Sequence, residues 1–240
     1  MKEGLKAIIW LIVGLELLLV MFILFSKFLT NEKVNLDLDE EEQEELNNII
    51  MPTFTKSDIT DEIYRTIYNV SFIENKDITI EDLSYLEVTY YDLDGNKHIG
   101  DMIVNNKVAD EVLLIFKELY DIRYPINKIS LVDNYRAVDE DSMRDNNSSA
   151  FNYRAVSGTN TLSKHALGLA IDINPLYNPC VTNGTASIKE SEKYINRKNY
   201  SLGMIQEDDD CVKIFKKYGW TWGGDWINPK DYQHFEKTID

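Results

Sequence analysis

The amino-acid sequence predicts an α+β domain that follows an apolar N-terminal segment, and three observations lead to this prediction. Residues 85–91 alternate and are rich in strand-forming side chains, and Asp94-Gly95 marks a hairpin turn into a second strand. Residues 108–120 then carry apolar side chains on one face of a predicted helix. Residues 7–25 form an apolar run with one charged residue. Strands and helices that follow one another in this way are typical of the α+β class.

The apolar run predicts a transmembrane helix over residues 7–29. About 20 apolar residues span a bilayer as a helix. Glu16 interrupts the run at a cost of roughly 2.5–3.5 kcal/mol, which the surrounding Leu, Ile, Phe and Val residues offset. A cleaved signal peptide is the alternative, but it has an apolar region of about 7–15 residues and a small-x-small cleavage site, which is missing after Phe25. The sequence therefore favours an uncleaved anchor.

An acidic linker is predicted to follow the anchor over residues 30–55, with one domain over residues 56–240. The linker holds a block of Asp and Glu residues, which repel one another and stay solvated. The whole chain has a formal net charge of −16. This charge argues against nucleic acid as a partner, because neutralising phosphates requires basic patches.

Further elements of the domain are predicted from periodicity and turn residues. Ile59, Ile63 and Ile67 have helical spacing. A strand is predicted over residues 128–132, and a short helix ends at Gly219, where capping favours glycine. The polar segment from Arg136 to Tyr153 lacks periodicity, and a loop of this length in a compact domain is usually functional or disordered.

The stretch with the clearest chemistry runs from Ser163 to Pro175. As an extended segment, it places Asp172 on one side with small residues and Ile171 on the apolar side. His165 lies seven positions before Asp172, with Gly168 between them to let the backbone turn. The imidazole and the carboxylate can therefore converge, and both are common zinc ligands.

A third ligand is expected, because catalytic zinc usually has three protein ligands and one position for water. The chain has only three histidines. His98 falls on the predicted hairpin and is expected to be a surface residue. His234 lies in a second segment dense in Gly, Trp and charge. His165, Asp172 and His234 are therefore the predicted metal ligands.

The two segments together resemble the M15 metallopeptidases, which are the D-alanyl-D-alanine carboxypeptidases and L-alanyl-D-glutamate endopeptidases of bacterial cell walls. The resemblance rests on Ser-x-His-x-x-Gly-x-Ala-x-Asp followed by Asp-x-x-His, and on the upstream segments 142–147 and 150–154. It extends over roughly residues 80–240 and implies a hedgehog/D-Ala-D-Ala-peptidase-like fold, with a small antiparallel sheet, flanking helices and a Zn²⁺ cofactor.

The resemblance also implies roles for residues around the metal. Asp231 is the expected general base, and a helical turn would stack it on His234 three residues later; Asp225 competes for this role. An arginine in a Tyr-Arg pair is expected to steady the oxyanion. Arg136 is preferred because it follows a predicted strand, and Arg154 comes second. The hydroxyl of Ser163 is expected to bind the substrate or a neighbouring backbone group.

Cys180 and Cys211 are the only cysteines. Two cysteines cannot form a four-ligand zinc finger, so a disulfide is predicted. Such a bridge would close a loop of about 30 residues and add roughly 3–4 kcal/mol of stability in the chain-entropy model. It would also suit an oxidising exterior.

The sequence thus predicts a bacterial single-pass membrane protein with residues 1–6 in the cytoplasm and an extracellular zinc metallopeptidase domain. The expected substrate is a peptidoglycan stem peptide, cut either by carboxypeptidase or by endopeptidase action. The alternative is a non-hydrolytic, zinc-bearing module that binds the cell wall or a protein partner. A membrane-anchored interaction protein without metal would not explain why two of the three histidines lie in the motifs.

Overall fold

The computed structural model describes residues 50–239. The predicted cytoplasmic N-terminus (1–6), the predicted anchor (7–29) and residues 30–49 of the predicted linker lie outside the described residues. Across residues 50–239, no helix has the length and apolar character needed to cross a membrane.

An antiparallel three-stranded sheet opens the domain, in the order β1-β2-β3. Its strands are β1 (Phe54–Asp58), β2 (Leu83–Tyr91) and β3 (Lys97–Asn105). The hairpin predicted from the alternating pattern is confirmed, since β2 and β3 pair along their full length. The sequence did not indicate β1, because four of its five side chains are exposed and no alternation marks it. It begins two residues before the predicted start of the domain.

Two helices belong to this part of the domain. The helix α1 (Asp61–Ile67) begins after Thr60, whose hydroxyl accepts a hydrogen bond from the backbone N–H of Ile63 at 3.3 Å. The helix α2 (Ala109–Asp121) packs against β2. Its buried side chains recur at helical spacing, as the apolar stripe predicted: Ala109, Val112, Ile115, Phe116 and Leu119.

The segment between α2 and the metal motif has more structure than the sequence indicated. The strand predicted over residues 128–132 is only β4 (Lys128–Ile129), which pairs in parallel with β5 (Asn147–Ser148). The predicted loop contains β5 and the helix α3 (Asp139–Arg144). The sequence of these elements shows no periodic apolar pattern, because side-chain hydrogen bonds stabilise them. The buried amide of Asn147, for example, donates to the carbonyl of Ser130 at 2.9 Å.

A second antiparallel sheet lies at the centre of the metal motif, in the order β6-β11-β9. Its strands are β6 (Ala170–Asp172), β9 (Thr221–Trp222) and β11 (His234–Glu236). The helix α4 (Asp210–Lys217) packs its Phe215 ring on Phe235 of β11, with centroids 4.0 Å apart. The apolar side predicted for the motif therefore does face the core.

A third antiparallel sheet joins β7 (Cys180–Thr182), β8 (Thr185–Ala186) and β10 (Lys230–Asp231). Single turns of 3-10 helix connect the elements: Ile80–Asp82, Val132–Tyr135, His165–Leu167, Lys189–Tyr194 and Gly223–Asp225. The predicted α+β class, with small antiparallel sheets and several helices, is confirmed. The hedgehog-like or peptidase-like arrangement stays a prediction.

The predicted disulfide is wrong, because Cys180 and Cys211 are both free thiols. Cys211 is buried in α4 within the core, where it contacts Tyr124. Cys180 lies on β7 and donates its thiol hydrogen to Asp231, its cross-strand neighbour on β10. The two thiols thus lie in different environments.

The backbone turn predicted at Gly168 is present. His165–Leu167 forms a 3-10 turn, and Gly168 ends it with a left-handed φ of +65°. A Cβ atom at this position would lie 2.4 Å from the backbone nitrogen of Asn105. The same nitrogen donates to the carbonyl of Gly168 at 2.9 Å, so only glycine fits between β3 and the metal motif.

We expect Gly168→Ala to lower the free energy of unfolding by about 2–5 kcal/mol, the sum of left-handed strain and overpacking. Gly158→Ala is the matched control, since Gly158 has a φ of +74° and nothing within 4 Å of the added Cβ. The Gly158→Ala substitution should lower the free energy of unfolding by only about 1 kcal/mol. Urea unfolding of both variants measures the difference, and equal losses would contradict the close approach at Gly168.

Candidate metal centre and substrate cavity

The three predicted ligands meet at one point. Their ligand atoms all lie within 4.8 Å of one another. His234 Nδ1 lies 3.0 Å and His165 Nε2 lies 3.3 Å from Asp172 Oδ1, while the two nitrogens are 3.2 Å apart. All three residues are buried. This arrangement follows from the pairing of β6 with β11, which places His234 directly opposite Asp172.

The outer nitrogen of each imidazole has its own partner. His165 Nδ1 lies 2.5 Å from the carbonyl oxygen of Ala150, so it carries hydrogen and leaves the lone pair on Nε2. His234 Nε2 lies 3.2 Å from Glu236 Oε2, which leaves Nδ1 to face the centre. A carbonyl or carboxylate behind a ligating imidazole is the usual support of a metal site, because it fixes the ring and its tautomer.

The second oxygen of Asp172 is also held. Gln233 Nε2 donates to Asp172 Oδ2 at 3.2 Å, which leaves Oδ1 to face the imidazoles. The sequence did not indicate Gln233 or Glu236 as functional residues. Both flank His234 at one and two positions, and this closeness to a predicted ligand was the only signal available.

The electrostatics of the centre require a positive charge at its middle. Burial alone would raise the pKa of Asp172, but the charge and hydrogen bonds of His165 and His234 hold it well below its usual range. Burial likewise opposes protonation of His234, yet Asp172 and Glu236 raise its pKa to about 10. The donor atoms that surround the Asp172 carboxylate can bind a divalent cation in place of a proton. The residues fit a metal ion.

A cavity of about 380 Å³ opens beside this centre. Acidic, polar and apolar side chains line it, with Arg154 as its one basic residue among the described residues. The lining residues used below are Asp139, Met143, Arg154, Asp172, Cys180, Asp231 and Gln233. The cavity borders Asp172, so a molecule within it lies next to the metal ligands.

Asp231 lines this cavity, but not on the helical turn that the sequence predicted. Asp231 belongs to β10 and His234 to β11, and the two residues between them form a bend rather than a helical turn. Asp231 Oδ1 is inaccessible to solvent and has no hydrogen-bond partner among the described residues. Burial raises the pKa of Asp231 to about 6, with the charge of His234 opposing the shift. Such a carboxylate suits proton transfer near neutral pH.

The two candidate arginines lie in different places. Arg154 lines the cavity, and its guanidinium forms an ion pair with Asp139. Arg136 is exposed at the end of the Val132–Tyr135 turn and is not among the lining residues. The position after a strand favoured Arg136 in the sequence, whereas the geometry favours Arg154.

The other candidates lie outside the cavity. Ser163 is buried, and its Oγ accepts the backbone N–H of His165 at 3.2 Å, so it supports the ligand turn. Asp225 pairs with Lys216 at 2.7 Å and lines a different cavity. The ring of Trp226 lies 5.5 Å from that of His234, centroid to centroid, and forms a wall of the metal centre.

Comparison with known proteins gives one finding. The model of an M15 peptidase family, described as D-alanyl-D-alanine carboxypeptidase, matches residues 157–237. This segment is about a third of the chain and contains all three candidate ligands and Asp231. Neither the curated proteins nor the solved structures give a match. The M15 resemblance is confirmed for this segment.

We expect Glu236→Gln to weaken metal binding about 10-fold and Glu236→Ala up to about 100-fold, the range for loss of a partner behind a ligating histidine. The glutamine still accepts the hydrogen of His234 Nε2 but lacks the charge, whereas alanine removes both. Competition between the protein and a chromophoric chelator for Zn²⁺ measures the affinity. Glu192→Gln removes an exposed carboxylate and is the control. Unchanged affinity in both Glu236 variants would show that this carboxylate does not support the site.

Proposed function

We propose that this chain, whose residues 157–237 match an M15 peptidase family, hydrolyses a peptide bond in peptidoglycan stem peptides with the help of zinc. One observation carries the proposal. Asp172, one of the three candidate ligands, lines the same cavity as Asp231, a buried carboxylate whose Oδ1 has no hydrogen-bond partner among the described residues. A binding module needs the first of these features but has no use for the second.

The donor set supports zinc as the metal. Two imidazole nitrogens and one carboxylate oxygen are typical of catalytic zinc sites, which leave further positions open. When bound, zinc supplies Lewis acidity toward the scissile carbonyl and toward water. The protein prepares this site through Ala150, Glu236 and Gln233, which hold the outer atoms of the three ligands.

Asp231 is proposed to be the general base. Its carboxylate accepts the proton of the attacking water and then passes that proton to the leaving amine. Burial and a pKa of about 6 make the carboxylate a stronger base than an exposed aspartate, while it stays ionised at neutral pH. The thiol of Cys180 donates to Asp231 and orients it toward the cavity.

Arg154 is proposed to stabilise the negative charge that develops on the carbonyl oxygen. Its side chain lines the cavity, and the ion pair with Asp139 holds the guanidinium in place before substrate binds. Donors that are positioned in advance stabilise an oxyanion without having to reorganise during the reaction.

The choice between carboxypeptidase and endopeptidase depends on how the cavity treats a terminal carboxylate. A carboxypeptidase must bind that carboxylate with a cation and stabilise an oxyanion as well. Arg154 is the one basic residue among the described lining residues, and Asp139 already pairs with it. The lining therefore favours cleavage of an internal bond, whereas the description of the matched family favours the carboxypeptidase.

We also propose that residues 7–29 anchor the protein in the bacterial membrane, with the catalytic domain outside the cell. The apolar run supports an anchor of this length, and a substrate in the cell wall requires an external active site.

The reaction is tested with defined muropeptides and the full-length protein, with added zinc or with a chelator. Mass spectrometry identifies the products. A new amine at D-Glu indicates an endopeptidase, and loss of one terminal D-Ala indicates a carboxypeptidase. If zinc-loaded protein releases no product above the chelated control, a non-hydrolytic module that binds the wall is the better description.

We expect Asp231→Asn to lower kcat by about 10²–10⁴-fold, because the amide cannot accept a proton. Affinity for zinc should change little, since the ligands are intact. Asp225→Asn, which breaks only a surface ion pair with Lys216, is the matched control and should keep wild-type activity. Equal activity in Asp231→Asn and wild type would exclude Asp231 as the base.

The pH dependence follows from the raised pKa of Asp231, about 6 before metal binds. The base acts as a carboxylate, so kcat/KM should fall as the pH decreases through this pKa. A bound cation favours the ionised carboxylate and moves the fall to a somewhat lower pH. The profile is recorded at saturating zinc from pH 8 to pH 4. Activity that rises as the pH decreases would contradict a carboxylate base.

A further inference from the structure

We propose that Gln233 is a substrate-binding residue, whose side-chain carbonyl accepts a hydrogen bond from an amide N–H of the stem peptide. This inference rests on the proposed function, since it names the part of the substrate that faces one wall of the same cavity. Gln233 immediately precedes the candidate ligand His234. Its side chain is buried, with an exposed fraction of 5% for the residue.

The contacts of Gln233 fix which way its amide points. Its Nε2 donates to Asp172 Oδ2 at 3.2 Å and approaches Met143 Sδ at 3.8 Å. A carboxylate oxygen and a thioether sulfur both accept hydrogen bonds, so the group that faces them is a donor. The nitrogen of Gln233 must therefore face Asp172, and the oxygen takes the other position.

That oxygen, Gln233 Oε1, is inaccessible in the folded chain and has no hydrogen-bond partner among the described residues. Buried side-chain oxygens in proteins are nearly always paired, with a protein donor, water or a ligand. Gln233 lines the cavity beside the metal ligands. Since the oxygen is buried, a donor that enters the cavity reaches it only when neighbouring side chains shift, and such a donor is the partner that we assign to it.

The chemistry of the cavity wall defines the donor. Asp231 Oδ1 is a second buried acceptor without a partner, and it lines the same cavity. Two acceptors on one wall repel a carboxylate and attract N–H groups. Peptide amides supply such groups at every residue of a stem peptide. The substrate thus turns an amide N–H, rather than a free carboxylate, toward Gln233.

The same side chain links the substrate to the metal centre. One end of the Gln233 amide holds Asp172, and the other end is free for the substrate. Substrate bound at Oε1 thus fixes the amide plane that orients the ligand Asp172. Removing the side chain should weaken two separate interactions, and each has its own measurement.

The test combines Gln233→Met with stem peptides that are N-methylated at one amide at a time, leaving the scissile amide unmodified. Methionine has a similar length but no amide group. We expect one methylated peptide to lower the wild-type kcat/KM about 10-fold, as for loss of a hydrogen bond to a buried acceptor. Gln233→Met should lose at least this factor on the unmodified peptide, because it also loses the contact with Asp172, and should lose little more with that methylated peptide.

Calorimetric binding of the same peptides to chelator-treated, metal-free protein gives a readout that does not depend on catalysis. The Kd for the unmodified peptide should rise about 10-fold in Gln233→Met. The methylated peptide that lowers the wild-type kcat/KM should have the same Kd for both proteins. Gln206→Met is the matched control, because Gln206 lies on another cavity. Gln233→Asn, which shortens the side chain, replaces Gln233→Met if that variant does not fold.

Equal losses of Gln233→Met on all peptides, together with weaker zinc binding, would overturn the inference and leave Gln233 as a support of Asp172 alone. If wild-type protein cleaves no stem peptide, the proposed function fails. The calorimetric measurements then still decide whether Gln233 binds an amide N–H.

Discussion

The site depends on the pairing of two short strands, β6 and β11, in a single register. Asp172 stands opposite His234, and Ile171 stands opposite Phe235. Since side chains alternate along a strand, the polar pair faces the metal centre while the apolar pair enters the core. A slip of one residue would bury the imidazole in the core and expose Phe235. The stacking of Phe235 on Phe215 thus fixes the ligands indirectly, because it fixes the register.

Each candidate ligand of the centre is held by a different kind of chemical group. A neutral carbonyl at Ala150 orients His165, a carboxylate at Glu236 orients His234, and the amide of Gln233 orients Asp172. The centre therefore carries more negative charge on the side of His234 than on the side of His165. Hydrogen bonds with Asp172 and Glu236 together raise the pKa of His234 to about 10, although burial opposes protonation. The same negative charge favours a divalent cation.

Sequence reasoning singled out the candidate metal cluster because histidine is rare in this chain and the spacing of His165, Asp172 and His234 is distinctive. It also predicted the hairpin and α2, because the apolar side chains of these elements recur over enough residues to indicate strands and a helix. Sequence reasoning did not predict contacts between side chains that belong to different strands or loops. Three features depend on register or on loop folding: the bend between Asp231 and His234, the thiol of Cys180 beside Asp231 and the place of Arg154. Gln233 carries no signal of its own, because its role arises from the orientation of one amide against Asp172.

Two aspartates of the site differ in protonation chemistry although both are buried in one region. Burial raises the pKa of each, but Asp172 lies against the imidazoles of His165 and His234, which hold its pKa far below the usual range. Asp231 lacks such partners and receives only a weak thiol donor, so burial dominates and its pKa rises to about 6. A ligand must stay ionised at every working pH, whereas a base must take up a proton and release it. The environments of Asp172 and Asp231 push their pKa values apart in the directions that these two roles require.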